Sequence, residues 1–126
     1  MKKRKEHGFR NLQLSEKLFN EKNYYDWVVT VSFYSAIHFI EDKILPRNVN
    51  GVYCKTISEV KNAYNMNGRH AARERLVWMF CSSIAPQYKW LDDQSRYSRY
   101  ITYKITPATA EKAIQYLKEI FKECYN

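Results

Sequence analysis

His38 and Glu41 stand three residues apart, one helical turn, within the apolar segment WVVTVSFYSAIHFIEDKIL that runs from Trp27 to Leu45. Imidazole is the side chain that titrates near neutral pH and serves most often as general base or acid, so a His with a carboxylate one turn away is a candidate for proton transfer. His70 and Arg73 repeat that spacing in HAAR, with Arg69 and Arg75 beside them. Placed in the first turn of a helix, they would lie near backbone N–H donors and the positive end of the helix dipole, a position that favours phosphate. In SRYSRY, Ser95 to Tyr100, Arg96 and Tyr100 are four apart and Arg99 is four from Ser95. Arginine grips phosphate with two parallel hydrogen bonds and tyrosine stacks on a base, the chemistry used to recognise single-stranded RNA. Each group also has a plain structural reading. His38 and Glu41 can bond to neighbouring helices and hold them in register, Arg73 or Arg75 can pair with Glu74, Glu41 or Asp42, and Arg and Tyr together can line a wet dimer interface.

Several chemistries lack their signatures. The three glycines are isolated at 8, 51 and 68, so neither a Rossmann nor a P-loop fingerprint exists, and H-E-x-x-H, G-x-S-x-G and EF-hand patterns are missing. Cys54, Cys81 and Cys124 are odd in number and have no C-x-x-C spacing, which indicates neither a disulfide framework nor a zinc site and suits a reducing cytoplasm. His38, Glu41 and His70 are the set from which a metal site could be assembled, but two His and a carboxylate on separate helices form no recognisable ligand pattern. No metal and no cofactor are expected.

The elements that position these groups follow from hydrophobic periodicity. Only three Gly and three Pro punctuate 126 residues, so one all-α domain, residues 1–126, is expected. The first helix is read from about Phe9 to Glu21, with Leu12, Leu14, Leu18 and Phe19 toward the core. Residues 1–7, with Lys2, Lys3, Arg4 and Lys5, read as a basic, partly disordered tail. The second helix is the Trp27–Leu45 segment, apolar almost all round and therefore expected at the centre of a bundle. On it Trp27, Val31, Tyr34, His38, Glu41 and Leu45 form one stripe. The stretch from Pro46 to Lys55 reads as a loop, and Ser58 to Asn65 as a short helix. A third main helix runs from Arg69 to Ile84, with Leu76, Val77, Phe80 and Ile84 inward and Pro86 as its stop; a fourth spans about Gln87 to Tyr103. The last opens with Thr106 as N-cap and Pro107 in its first turn, and Ala110, Ala113, Ile114, Leu117, Ile120 and Phe121 form its apolar face.

The formal net charge of +8 and pI near 9.4 make a polyanion a reasonable partner, and eleven Tyr suit an interaction surface. The start of the chain is charged and shows no signal peptide, and the longest apolar run is broken by Thr30, Ser32, Ser35 and His38, so no membrane span is expected.

FYSAIH (Phe33 to His38), HAAR (His70 to Arg73), then Tyr88, Leu91 and SRYSRY, followed by an amphipathic helix, resemble in order and spacing the small bacterial HEPN-like proteins, over roughly residues 24–121. The resemblance implies an up-and-down bundle of four to five helices, often a homodimer, associated with nucleotides or RNA. In many members it implies a metal-independent ribonuclease of toxin–antitoxin and other defence systems. The Arg followed four to six residues later by a His, usual in HEPN ribonucleases, has no counterpart: Arg4 is too close to His7, Arg69 adjoins His70, and no Arg precedes His38 at that distance. The expectation is thus a HEPN-like module that binds a nucleotide, RNA or a cognate partner protein without catalysis of its own, through Tyr34, Glu41, Arg69, Arg96, Arg99 and Tyr100. The alternative is an endoribonuclease in which His38 and His70 act as base and acid on a ribose 2′-OH and its leaving oxygen, with Arg73 and Arg96 or Arg99 stabilising the phosphorane. A structural scaffold is the third reading.

Overall fold

In the computed structural model residues 2–126 are described, with Met1 and the side chain of Lys2 outside the described residues. Their elements are α1 (Lys2–Asn20), α2 (Tyr25–Ile44), β1 (Arg47–Val49), β2 (Val52–Cys54), α3 (Ile57–Ala63), α4 (Arg69–Phe80), a single 3₁₀ turn (Ser82–Ile84), α5 (Ala85–Tyr100) and α6 (Pro107–Tyr125). The described chain is mostly helical, as its periodicity predicts. No helix among the described residues is long and apolar enough to cross a membrane.

Helix α2 packs against α1, α5 and α6 and touches α4. Val28, Val29, Phe33, Ala36, Phe39, Ile40 and Ile44 are buried, and burying such side chains contributes about 1.5–3 kcal/mol each. The helix is not covered all round, however. Trp27 and Tyr34 are 54% and 41% exposed, and Val31, His38 and Glu41 are half-buried, so the stripe that carries the polar groups is the wet edge of a central helix.

Helix α6 forms as its sequence requires. Thr106 Oγ1 accepts from Thr109 N, Pro107 occupies the first turn, and Ala110, Ala113, Ile114, Leu117 and Ile120 are buried, with Phe121 half-buried. At the other end of the chain the helix starts at Lys2 rather than near Phe9, so residues 3–7 belong to α1 and not to a tail. Gly8 makes this possible. A Cβ there would lie 2.6 Å from the Phe39 ring, and Ser35 Oγ donates to Gly8 O at 2.6 Å, so α1 and α2 meet backbone to side chain. Of the expected α1 core, Leu12 is buried and Leu18 and Phe19 half-buried, whereas Leu14 is 42% exposed, because it lies on the opposite side of the helix from Leu12.

Three further expectations are corrected. The segment after α2, which begins with a cis Leu45–Pro46 bond, is a hairpin and not a loop. Asn50 and Gly51 both take positive φ, 49° and 80°, which is what a two-residue turn between paired strands demands, and Val49 sits opposite Val52. The helix that starts at Arg69 ends at Phe80, and after the 3₁₀ turn Pro86 lies in the first turn of α5 instead of stopping α4. Phe80 is 40% exposed beneath the Arg47 guanidinium, 3.7 Å from its ring centroid, while Leu76, Val77 and Ile84 are buried as expected. The short helix α3 carries a full capping box between Thr56 and Glu59.

Candidate functional site

The wet edge of α2 meets α4 and α5 along a polar seam. Arg73 Nε, from the second turn of α4, donates to Glu41 Oε2 at 2.8 Å, and the two side chains are 14% and 17% exposed. This is the acidic partner that an arginine-rich helix start calls for; Arg75 instead lies over an aromatic ring, its guanidinium 4.1 Å from the Tyr64 ring centroid. One turn back on α4, His70 Nε2 lies 2.8 Å from Asp92 Oδ2 on α5, and Arg96 Nε lies 3.2 Å from the other carboxylate oxygen. Asp92 is 1% exposed, and these contacts hold it by charge rather than by aligned hydrogen bonds. Arg96 is its permanently charged neighbour, and His70 adds a second polar group to this dry site. Tyr88, one turn before Asp92 on α5, is fully buried; burial pushes its phenol up to about 12, opposed by the nearby Arg73 charge, so it is a neutral hydroxyl.

Burial lowers the pKa of His70 below its ordinary 6.5; Asp92 pulls the other way, and Arg96 and Arg73 add to the lowering. His38 is lowered as well, first by burial and then by His7, Arg73 and Arg4, with Glu41 opposing. His38 and His70 both border Arg73, yet no direct contact joins the two imidazoles among the described residues. The companion of His38 is instead His7 on α1, stacked face to face with ring centroids 3.9 Å apart. Arg4, one turn before His7, donates from Nη2 to Lys55 O at 2.7 Å and so ties α1 to the residue after β2.

The third group lies on the outer face of α5. A buried hydrogen bond of 3.0 Å between Thr30 and Ser98 pins this helix to α2. Arg99 Nε donates to Ser95 O and Arg99 Nη1 to Tyr34 Oη, each at 3.1 Å, and the guanidinium lies 5.1 Å from the Tyr100 ring centroid. A small cavity of about 180 Å³ opens beside Arg99, lined by Asp26, Trp27, Thr30 and Ser98. Beyond it Tyr100, Ile101 and Tyr103 are 75%, 73% and 70% exposed. Here the guanidinium is oriented by neutral hydrogen-bond partners and forms no ion pair among the described residues, although Asp26 lines the same cavity.

The structure therefore connects Glu41, Arg73, His70 and Arg96 through one seam, sets His38 at its edge, and gathers Tyr34, Arg99 and Tyr100 into a separate surface. Arg69 stands apart, exposed at the start of α4. Tyr88, part of the family-like pattern, completes the arrangement together with Asp92, Arg4 and His7, whose places escape a reading of motifs. The signals were the i, i+4 pair Asp92/Arg96 and the i, i+3 pair Arg4/His7, ordinary surface spacings that gain meaning only when the helices pack. Among the described residues no group of three or more His, Cys, Asp or Glu is placed to hold a metal ion, so His38, Glu41 and His70 do not form one. Comparison of the chain with protein-family models, with curated proteins and with solved structures finds no match.

Proposed function

We propose that this chain is a HEPN-like helical module, arranged as an up-and-down bundle, that binds single-stranded RNA or nucleotides on the face formed by Tyr34, Arg99 and Tyr100 and has no catalysis of its own. The observation that carries the reading is the contrast between the seam and this face. In the seam Arg73 is bonded to Glu41, and His70 and Arg96 to Asp92, so these groups hold α2, α4 and α5 in register. On the face, Arg99 is positioned by a carbonyl and a phenol, neither of which cancels its charge, beside a tyrosine ring that is largely open to solvent. A positioned guanidinium next to exposed aromatic rings offers phosphate contact and base stacking together, and the net charge of +8 favours encounter with a polyanion.

A panel of single-stranded and structured RNAs incubated with the protein in EDTA tests this. The expected result is intact RNA together with binding that weakens as salt rises. Cleavage that survives chelation and disappears in folded His38→Ala or His70→Ala protein would replace the module with a metal-independent ribonuclease. Neither binding nor cleavage would refute the RNA-binding reading and give this face to a second copy or a cognate partner protein.

A further inference from the structure

Arg4 and His7 on α1, His38 on α2 and Arg73 on α4 cluster at the edge of the seam. The carboxylate facing them is Glu41, already bonded to Arg73. Arg4 spends Nη2 on the Lys55 carbonyl, while its Nη1 is shut off from solvent and donates to no described group. A buried guanidinium N–H without an acceptor is costly and needs an explanation, and an oxyanion is the partner that guanidinium geometry suits best. The stacked imidazoles beside it would respond to such an anion. With centroids 3.9 Å apart and an interplanar angle of 24°, they cannot both be protonated without strong repulsion unless a negative charge lies between or beside them.

We propose that Arg4, His7, His38 and Arg73 form a binding site for a phosphate monoester, the terminal phosphoryl group of a nucleotide or of an RNA end. Arginine supplies the fork of donors, and the imidazoles supply proton exchange. The second ionisation of a phosphate monoester, near pH about 6, overlaps the range of imidazole, about 6.5, so a proton is shared between site and ligand. A carboxylate, ionised by about pH 4, does not share one in this range, and an internal phosphodiester has no second proton to share. None of the four residues belongs to the Tyr34–Arg99–Tyr100 face, so this site and RNA binding on that face fail separately.

The chain has three histidines, so the imidazole C–H resonances of the full-length protein resolve the question by NMR. The titrations of His7 and His38 are followed in inorganic phosphate and in chloride at equal ionic strength, with His70 as internal control. Phosphate is expected to raise the His7 and His38 midpoints by about one unit and the His70 midpoint, which feels the site only through Arg73, by clearly less. Arg4→Gln, and independently His7→Gln read at His38, are expected to abolish the rise, with an unchanged His70 resonance reporting an intact fold. Adenosine 5′-monophosphate is expected to act as inorganic phosphate does, and a dinucleoside monophosphate, whose phosphate is internal, to have no effect. No rise, an equal rise at all three histidines, persistence of the rise in both folded variants, or an equal response to the internal phosphodiester would each overturn the assignment.

Discussion

Glu41→Gln is the substitution with the most to say about the seam. At 2.8 Å and an effective dielectric constant of about 20, the Coulomb attraction between Glu41 and Arg73 is of order 6 kcal/mol, most of it offset by the desolvation of two side chains that are 14% and 17% exposed. The loss expected is that of a hydrogen bond between charged groups, about 2 kcal/mol, because Arg73 is left in place without its carboxylate. For a chain of 126 residues, unfolding entropy of about 2.1 cal/mol/K per residue converts each kcal/mol into roughly 4 °C, so Tm should fall by about 8 °C. Chemical denaturation of Glu41→Gln, Arg73→Met and the double variant gives the coupling energy, expected near 2 kcal/mol. The same variant has a spectroscopic signature. Glu41 is the group that raises the His38 pKa, so removing its charge should lower the His38 midpoint further. A coupling energy below about 0.5 kcal/mol, the range of exposed pairs, together with an unmoved His38, would refute the seam as a structural joint.

Other expectations follow from the same geometry. His38 and His70 are both lowered in the folded protein, so the unfolded chain takes up protons first; stability should be full above the unfolded value of about 6.5 and decline as pH falls below it, and His38→Gln should flatten the decline in denaturant midpoints. Gly8→Ala should destabilise by about 1–3 kcal/mol although Ala is the better helix former, because the new methyl would meet the buried Phe39 ring; an unchanged or raised Tm would contradict that packing. Thr56→Ala removes the α3 cap and should cost about 1 kcal/mol in the same assay, while Thr56→Ser should retain the capping bond.

How far these features can be read in the sequence depends on how local their causes are. Helix α6 was legible because its cap, its proline and its apolar stripe all act within a few residues. The hairpin carried a local signal, Asn50-Gly51, but its strands are three residues long and half exposed, so hydrophobic alternation gave no support to it. The start of α1 was obscured by its charge. What keeps residues 3–7 helical is docking against α2 through Gly8, a contact no window of sequence contains. In the candidate site the same division holds. His38, Glu41, His70 and Arg73 stood out as polar residues at helical spacing, and the Glu41–Arg73 pair was among the partnerships open to them. Their other partners, His7 and Asp92, lie 31 and 22 residues away in helices whose rotation decides which side faces inward. Asp92 in particular looks like a surface residue beside Asp93, yet one is 1% exposed and the other is open to solvent.

Fluorescence anisotropy of a labelled single-stranded RNA, titrated with wild type, Arg99→Gln and Tyr100→Ala over a range of salt, tests the central claim most directly. Wild-type affinity should fall linearly on logarithmic axes as salt rises, and Arg99→Gln should reduce that slope by about 0.7, the value of one phosphate contact on a single strand. Tyr100→Ala should leave the slope alone and weaken binding by about 1–3 kcal/mol, the worth of one stacked base. Wild-type protein that does not bind RNA, or variants that bind as wild type does with the same slope, would contradict the assignment of this face to RNA.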